Sequence, residues 1–140
     1  MEKWVAFAFL SMIFAGFTSV IAKLGLTGIS GELGLALRTV VVFVLVIGFA
    51  LAVVPRTELS ALTTANVGWL ALSGVTTTLS WVFYYKALKL GEVSTIALID
   101  KGSFIVAVLL AWLLLREQIT LRVVAGSTLI LAGLLVVARR

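Results

Sequence analysis

Five apolar runs, each close to the length of a bilayer-spanning helix, follow one another with only short polar turns between them. A spanning helix needs roughly 20 mainly apolar residues to cross a hydrocarbon core about 30 Å thick. Such runs lie near Trp4–Ala22, Leu33–Val54, Val67–Leu88, Ser94–Leu115 and Thr120–Ala138. The punctuation agrees: "KLGLTGISGE" is glycine-rich, "PRTELSALTTAN" holds the single proline, and "KLGE" and "REQIT" are tight turns. Water-soluble globules keep about a quarter of their residues charged. This chain of 140 residues has 12% charged and 62% hydrophobic residues, and a mean hydropathy of +1.24. It therefore reads as an all-α polytopic membrane protein, one domain over residues 1–140 with five transmembrane helices. Ten-residue segments of alternating hydrophobicity, which a membrane barrel needs, are absent from the sequence.

Several function classes fall away on composition. The net charge of +5 comes from basic residues scattered in ones and twos, with no basic face or aromatic motif for nucleic acid. With no cysteine and no histidine, thiolate chemistry and the common zinc sites are excluded. No nucleophile–base pair or phosphate loop supports catalysis, and no cofactor is expected. Lys3, the apolar run to Ile21 and the "SVIA" ending at Ala22 imitate a cleavable leader; we expect this segment to be retained as the first membrane helix.

Five spans place the termini on opposite sides. Lys3, Arg56, Arg116 and Arg122 then flank one face, and Lys23, Lys89, Arg139 and Arg140 the other, four against four. Orientation follows the Lys/Arg asymmetry of short loops, so this sequence gives little preference for either topology. Arg38, Lys86 and Lys101 fall inside the expected spans, in the same half of the membrane as Asp100. Counted as loop charges, they would make the tally seven against four and favour an external N-terminus; we weight the loop-only count.

From these residues the chain resembles the EamA-type domain of the drug/metabolite transporter superfamily. "YYKALKLGEVSTIALI" is similar to the family's third-helix end, short turn and apolar fourth helix. "AWLLLREQITLRVVAGSTLILAGLLVV" is similar to its glutamate-containing turn and glycine-marked last helix, with Glu117, Thr120, Gly126 and Gly133 at those positions. Arg38 stands where the family often has an arginine opening its second helix. Typical members carry two five-helix units in inverted orientation, whereas this sequence shows one unit and no internal repeat. Many members also have a proline early in the fourth helix; here the sequence is "IDKG". The small multidrug resistance proteins fit less well, because they carry an acidic residue in helix 1 and this first span has none.

Asp100 is the residue hardest to reconcile with lipid. If the fourth helix began after it, Gly102–Leu115 would cover only ~21 Å, too short to span. Asp100 thus lies about 9 Å into the helix. A charge at mid-span costs about 2.5–3.5 kcal/mol on insertion scales. Lys101 escapes part of this by snorkelling, whereas Asp100 cannot. Adjacent residues point about 100° apart on a helix, so the two are not expected to pair well. Arg38 and Lys86, at similar depth, are the candidate ion-pair partners. Two readings stand side by side: Asp100 binds a cationic group or a proton, or it belongs to a buried pair that fixes packing or dimer register.

In the third span Ser73, Thr77, Ser80 and Tyr84 recur at helical spacing, flanked by Trp81 and Tyr85. Hydroxyls and amphipathic rings suit a cavity for a small organic molecule. Equally, Ser and Thr in spans bond back to their own helix, and Tyr and Trp settle at the interface. Ser11, Phe14 and Thr18 share a face of the first span and are candidates for the opposite wall. Gly126 and Gly133, seven apart, mark a helix-packing or dimer face.

The resemblance implies a small-molecule transporter of the inner membrane. One unit with balanced charges points to an antiparallel homodimer, in which two oppositely inserted copies supply the inverted repeat of alternating access. The expected substrate is a small organic or cationic molecule. The alternative is a non-transporting membrane subunit that assembles with or anchors a partner protein.

Overall fold

A computed structural model of the chain describes residues 3–138; Arg139 and Arg140, counted above among the flanking charges, lie outside the described residues. The chain is all-helical. Its order is α1 (Lys3–Gly25), α2 (Gly31–Val53), a 3₁₀ turn (Arg56–Ala61), α3 (Thr64–Leu90), α4 (Val93–Lys101), α5 (Ser103–Leu114) and α6 (Leu121–Ala138). Three segments are long and apolar enough to cross a membrane: α1, α2, and α4 with α5 taken together over 22 residues. At 27 residues α3 has the length, but Ser73, Thr76, Thr77, Thr78 and Ser80 dilute its apolar character. With 18 residues α6 covers roughly 27 Å, near the lower limit for a span. The protein is a multi-pass membrane protein.

The boundaries follow local chemistry. After α1 the chain turns at Gly28, whose φ of +78° suits glycine. Ser30 then caps α2, its hydroxyl accepting from the Leu33 amide at 3.2 Å. Pro55 closes α2, since the residue before a proline is pushed out of the helical region; Val54 is extended, with φ −82° and ψ 119°. Thr63 caps α3, accepting from the Asn66 amide at 3.2 Å.

The chain divides into two compact units. The second, residues 22–90, pairs α2 with α3 and holds the end of α1. Its packed core is Leu26, Leu35, Tyr85 and Leu88. These cluster where the α1–α2 turn, the start of α2 and the end of α3 meet. Gly31 lets the backbones come close there: a Cβ built on it would stand 3.0 Å from the Tyr85 carbonyl oxygen. Farther along α2, Phe43 and Leu45 are 64% and 66% exposed. Exposure of large apolar side chains along whole helices fits lipid or a partner helix as the surroundings, and does not fit water.

The first unit comprises residues 1–21 and 91–140. Here the structure departs from the expected continuous fourth helix: the Ser94–Leu115 run is broken at Gly102 into α4 and α5. The Gly102 amide reaches the Ile99 carbonyl at 2.9 Å, a three-residue bond that tightens the turn. A Cβ on Gly102 would lie 2.9 Å from that same oxygen and 3.4 Å from Leu134 Cδ1 of α6. The absence of a side chain therefore permits the tight turn, while the approach to Leu134 would be an ordinary van der Waals contact.

Candidate functional site

Trp81 and Tyr85 are four residues apart on α3 and share a face. In the second unit that face meets Arg38, seven residues into α2. The Arg38 guanidinium carbon lies 4.3 Å from the Trp81 ring centroid and 5.9 Å from that of Tyr85. Tyr84 sets its ring edgewise to Tyr85, with centroids 6.4 Å apart at 62°. Tyr85 is buried at 4% exposure, so one wall of this cluster is fixed by packing. A cation over an aromatic face is worth about 0.5–1 kcal/mol in water and about 2 when desolvated. Arginine suits this better than lysine, because a planar guanidinium can stack and still offer its N–H donors.

The same end of the unit carries three lysine contacts. Lys86 lies 3.6 Å from Glu32, both more than half exposed, an arrangement worth little where water has access. Lys23, near the end of α1, donates to the Leu88 carbonyl. Lys89, near the end of α3, donates to the Leu26 carbonyl at 2.9 Å. Each lysine thus satisfies a carbonyl near the other helix's C-terminus, where orphan acceptors and the helix dipole both favour a cation.

Three threonine hydroxyls of α3 donate to its own backbone. Thr77 and Thr76 donate to the Ser73 carbonyl at 2.8 and 2.9 Å, and Thr78 to Gly74 at 2.9 Å. Ser80 is exposed on the same helix. Elsewhere on the α2–α3 pair a groove of ≈ 320 Å³ runs between Leu35, Thr39, Thr78 and Val82. The Thr39 hydroxyl donates to Leu35 at 2.8 Å, so this groove presents few donors to a ligand.

In the first unit, Asp100 and Lys101 end α4. Their charged atoms are 4.0 Å apart, with side chains 40% and 56% exposed. That is the outer limit of an ion pair, in line with side chains that diverge on the helix. Within the second unit, the two cations offered as partners of Asp100 meet other groups of that unit, Arg38 the two rings and Lys86 the Glu32 carboxylate, and the pairing with Asp100 stays an expectation. Phe14 is 67% exposed on α1, and its carbonyl accepts from Thr18 at 2.9 Å. Gly126 and Gly133 on α6 have no neighbour within 4 Å of a built Cβ; neither marks a close helix approach inside the first unit. Among the described residues no three His, Cys, Asp or Glu side chains gather as a metal site would require.

The structure thus brings together Arg38, Trp81, Tyr85 and Tyr84, with Glu32 and Lys86 on the same helix pair, and sets Asp100 beside Lys101. Glu32 and the two lysine–carbonyl bonds were not read from the sequence. The available signal was positional: Glu32 follows the Ser30 cap, and Lys23 and Lys89 both sit in last turns.

Comparisons with known proteins cover the whole chain. The profile of the EamA-like transporter family matches residues 2–139. An uncharacterized transporter in the cobO 3′ region of Sinorhizobium sp. is 34% identical over 137 residues, 98% of this chain and 97% of that protein. No solved structure matches.

Proposed function

The chain belongs to the EamA-like transporter family, and from that premise we propose that it moves a small organic molecule across the inner membrane by alternating access, as an antiparallel homodimer. In this reading all five apolar segments span, α4 and α5 counting as one broken helix, and each chain supplies one five-helix half of the transporter. The observation that carries it is the even distribution of flanking charge, four basic residues to each face. Neither orientation is strongly preferred, and two opposed copies make the inverted pair that alternating access uses. The apolar side chains exposed along α1, α2 and α5 supply surface for lipid and for a second copy.

Asp100 is the group assigned to a cationic moiety or a proton. It sits beside the tightened turn at Gly102, where α4 and α5 meet. Trp81, Tyr84, Tyr85, Thr77 and Ser80 of the second unit are proposed to contact the solute, as are Phe14 and Lys101 of the first.

The test has two parts. A C-terminal reporter read on each side of the membrane should find substantial populations on both, and lysines appended after Arg140 should collapse them to one and reduce activity. Purified protein in liposomes should then give saturable flux of a small organic solute. A single orientation without a sister chain rules out the homodimer. An absence of flux across a broad solute panel favours the non-transporting subunit instead.

A further inference from the structure

Within the second unit Arg38 is the charge of α2 that meets no anion. Gly31–Val53 is one of the segments that can cross a membrane, and Arg38 lies seven residues from its start, about 10 Å along the axis. An ionisable side chain at that depth is ordinarily held by an opposite charge or serves a pathway. Within the second unit Arg38 has no carboxylate within ion-pair distance. Its contacts are the rings of Trp81 and Tyr85. Glu32, the acid on the same helix, is six residues away, about 120° round the axis, and lies 3.6 Å from Lys86. Aromatic rings hold a guanidinium through its charge and leave the N–H donors available.

We infer that Arg38 binds an oxyanion, the carboxylate or phosphate of the transported solute, with Trp81 and Tyr85 holding the guanidinium in place. The inference rests on the transporter reading above and deepens it: the substrate class becomes small organic anions. Two N–H donors of one guanidinium match the two oxygens of a carboxylate, and Trp81 offers a ring beside them for an apolar body. Asp100 can serve a proton or cation in the same cycle without competing for this group.

The full chain, purified in a neutral detergent free of anionic lipid, is titrated with benzoate and with inorganic phosphate, read by tryptophan fluorescence and calorimetry. Wild type should bind at least one of them saturably. Arg38→Gln should weaken that binding about tenfold or more, the loss of a charged hydrogen-bonded contact. Arg38→Lys, which keeps the charge without the planar fork, should weaken it about threefold or more and serves alone if Arg38→Gln does not fold. No saturable binding of either anion, or equal binding by wild type and the folded variant, overturns the proposal. So does native mass spectrometry showing that Arg38→Gln or Arg38→Lys releases a co-purified anionic lipid while benzoate and phosphate binding are unchanged, which assigns Arg38 to a headgroup. Flux in liposomes is scored separately: anion binding without transport sinks the transporter reading and leaves the anion site standing, whereas transport with no effect at Arg38 does the reverse.

Discussion

Gly31→Ala is the sharpest probe of the α2–α3 contact, because the same exchange elsewhere in α2 should act in the opposite direction. At Gly31 the new methyl would stand 3.0 Å from the Tyr85 carbonyl oxygen and 3.2 Å from its carbon. Both are backbone atoms of a residue with 4% exposure, so no side chain can rotate away. Either α2 moves outward by a few tenths of an ångström or α3 does. Overpacking of this kind costs about 1–3 kcal/mol, while replacing glycine in a helix returns at most about 1 kcal/mol. The net expectation is a loss of about 0–2 kcal/mol. At Gly48, in the same helix, a built Cβ meets nothing within 4 Å, and only the gain of about 0.5–1 kcal/mol remains. For a chain this size the two variants should melt roughly 3–10 °C apart, read by thermal unfolding in detergent micelles. If Gly31→Ala raises Tm as much as Gly48→Ala does, the helices do not approach as described, and the stacking of Arg38 on α3 loses its basis.

Asp100→Asn should leave stability nearly unchanged, within about 1 kcal/mol, since its ion-pair contact is 4.0 Å from Lys101 and 40% exposed; flux of a cationic solute, or the pH dependence of flux, should disappear. Unchanged, pH-responsive transport with unchanged Tm would remove Asp100 from the site. Gly126→Leu and Gly133→Leu introduce bulk where the chain itself offers no neighbour, so folding of the single chain should tolerate them while membrane cross-linking of the dimer falls. An undiminished cross-linked dimer in both variants would take α6 out of the interface.

The helices were legible because their ends carry strong local signals: Gly28, Ser30 and Pro55 each act through their own backbone or side chain. The break at Gly102 was not. A lone glycine inside a largely apolar helix costs only about 1 kcal/mol, so the local sequence does not distinguish a tolerated glycine from a turn. The ring–guanidinium cluster was half legible. Depth along each span placed Arg38, Lys86, Lys101 and Asp100 in the same half of the membrane, and spacing marked Trp81 and Tyr85 as rings on the third span, but neither signal says which cation finds which partner. Within the second unit, the angular position of each side chain on α2 and α3 sets Arg38 over Trp81 and Lys86 beside Glu32. For Thr77 the residue type allowed two uses of one hydroxyl. The structure has its proton on the Ser73 carbonyl, which still leaves the oxygen able to accept.

The two lysines that reach across helix ends make some charges harder to lose than others. Substituting Lys23 or Lys89 would be felt twice: once as a missing positive charge at insertion, and again as an uncapped carbonyl in the finished fold. Lys3 and Arg122 stand at or near the N-terminal ends of α1 and α6, where the helix dipole opposes a cation. Their loss changes the charge count without opening a helix end. If the proposed pair of opposed copies holds, a lineage drifting toward one fixed orientation, with a diverged sister chain for the other, would have its cheapest first steps at those two positions. The pair at 23 and 89 would be the last to go.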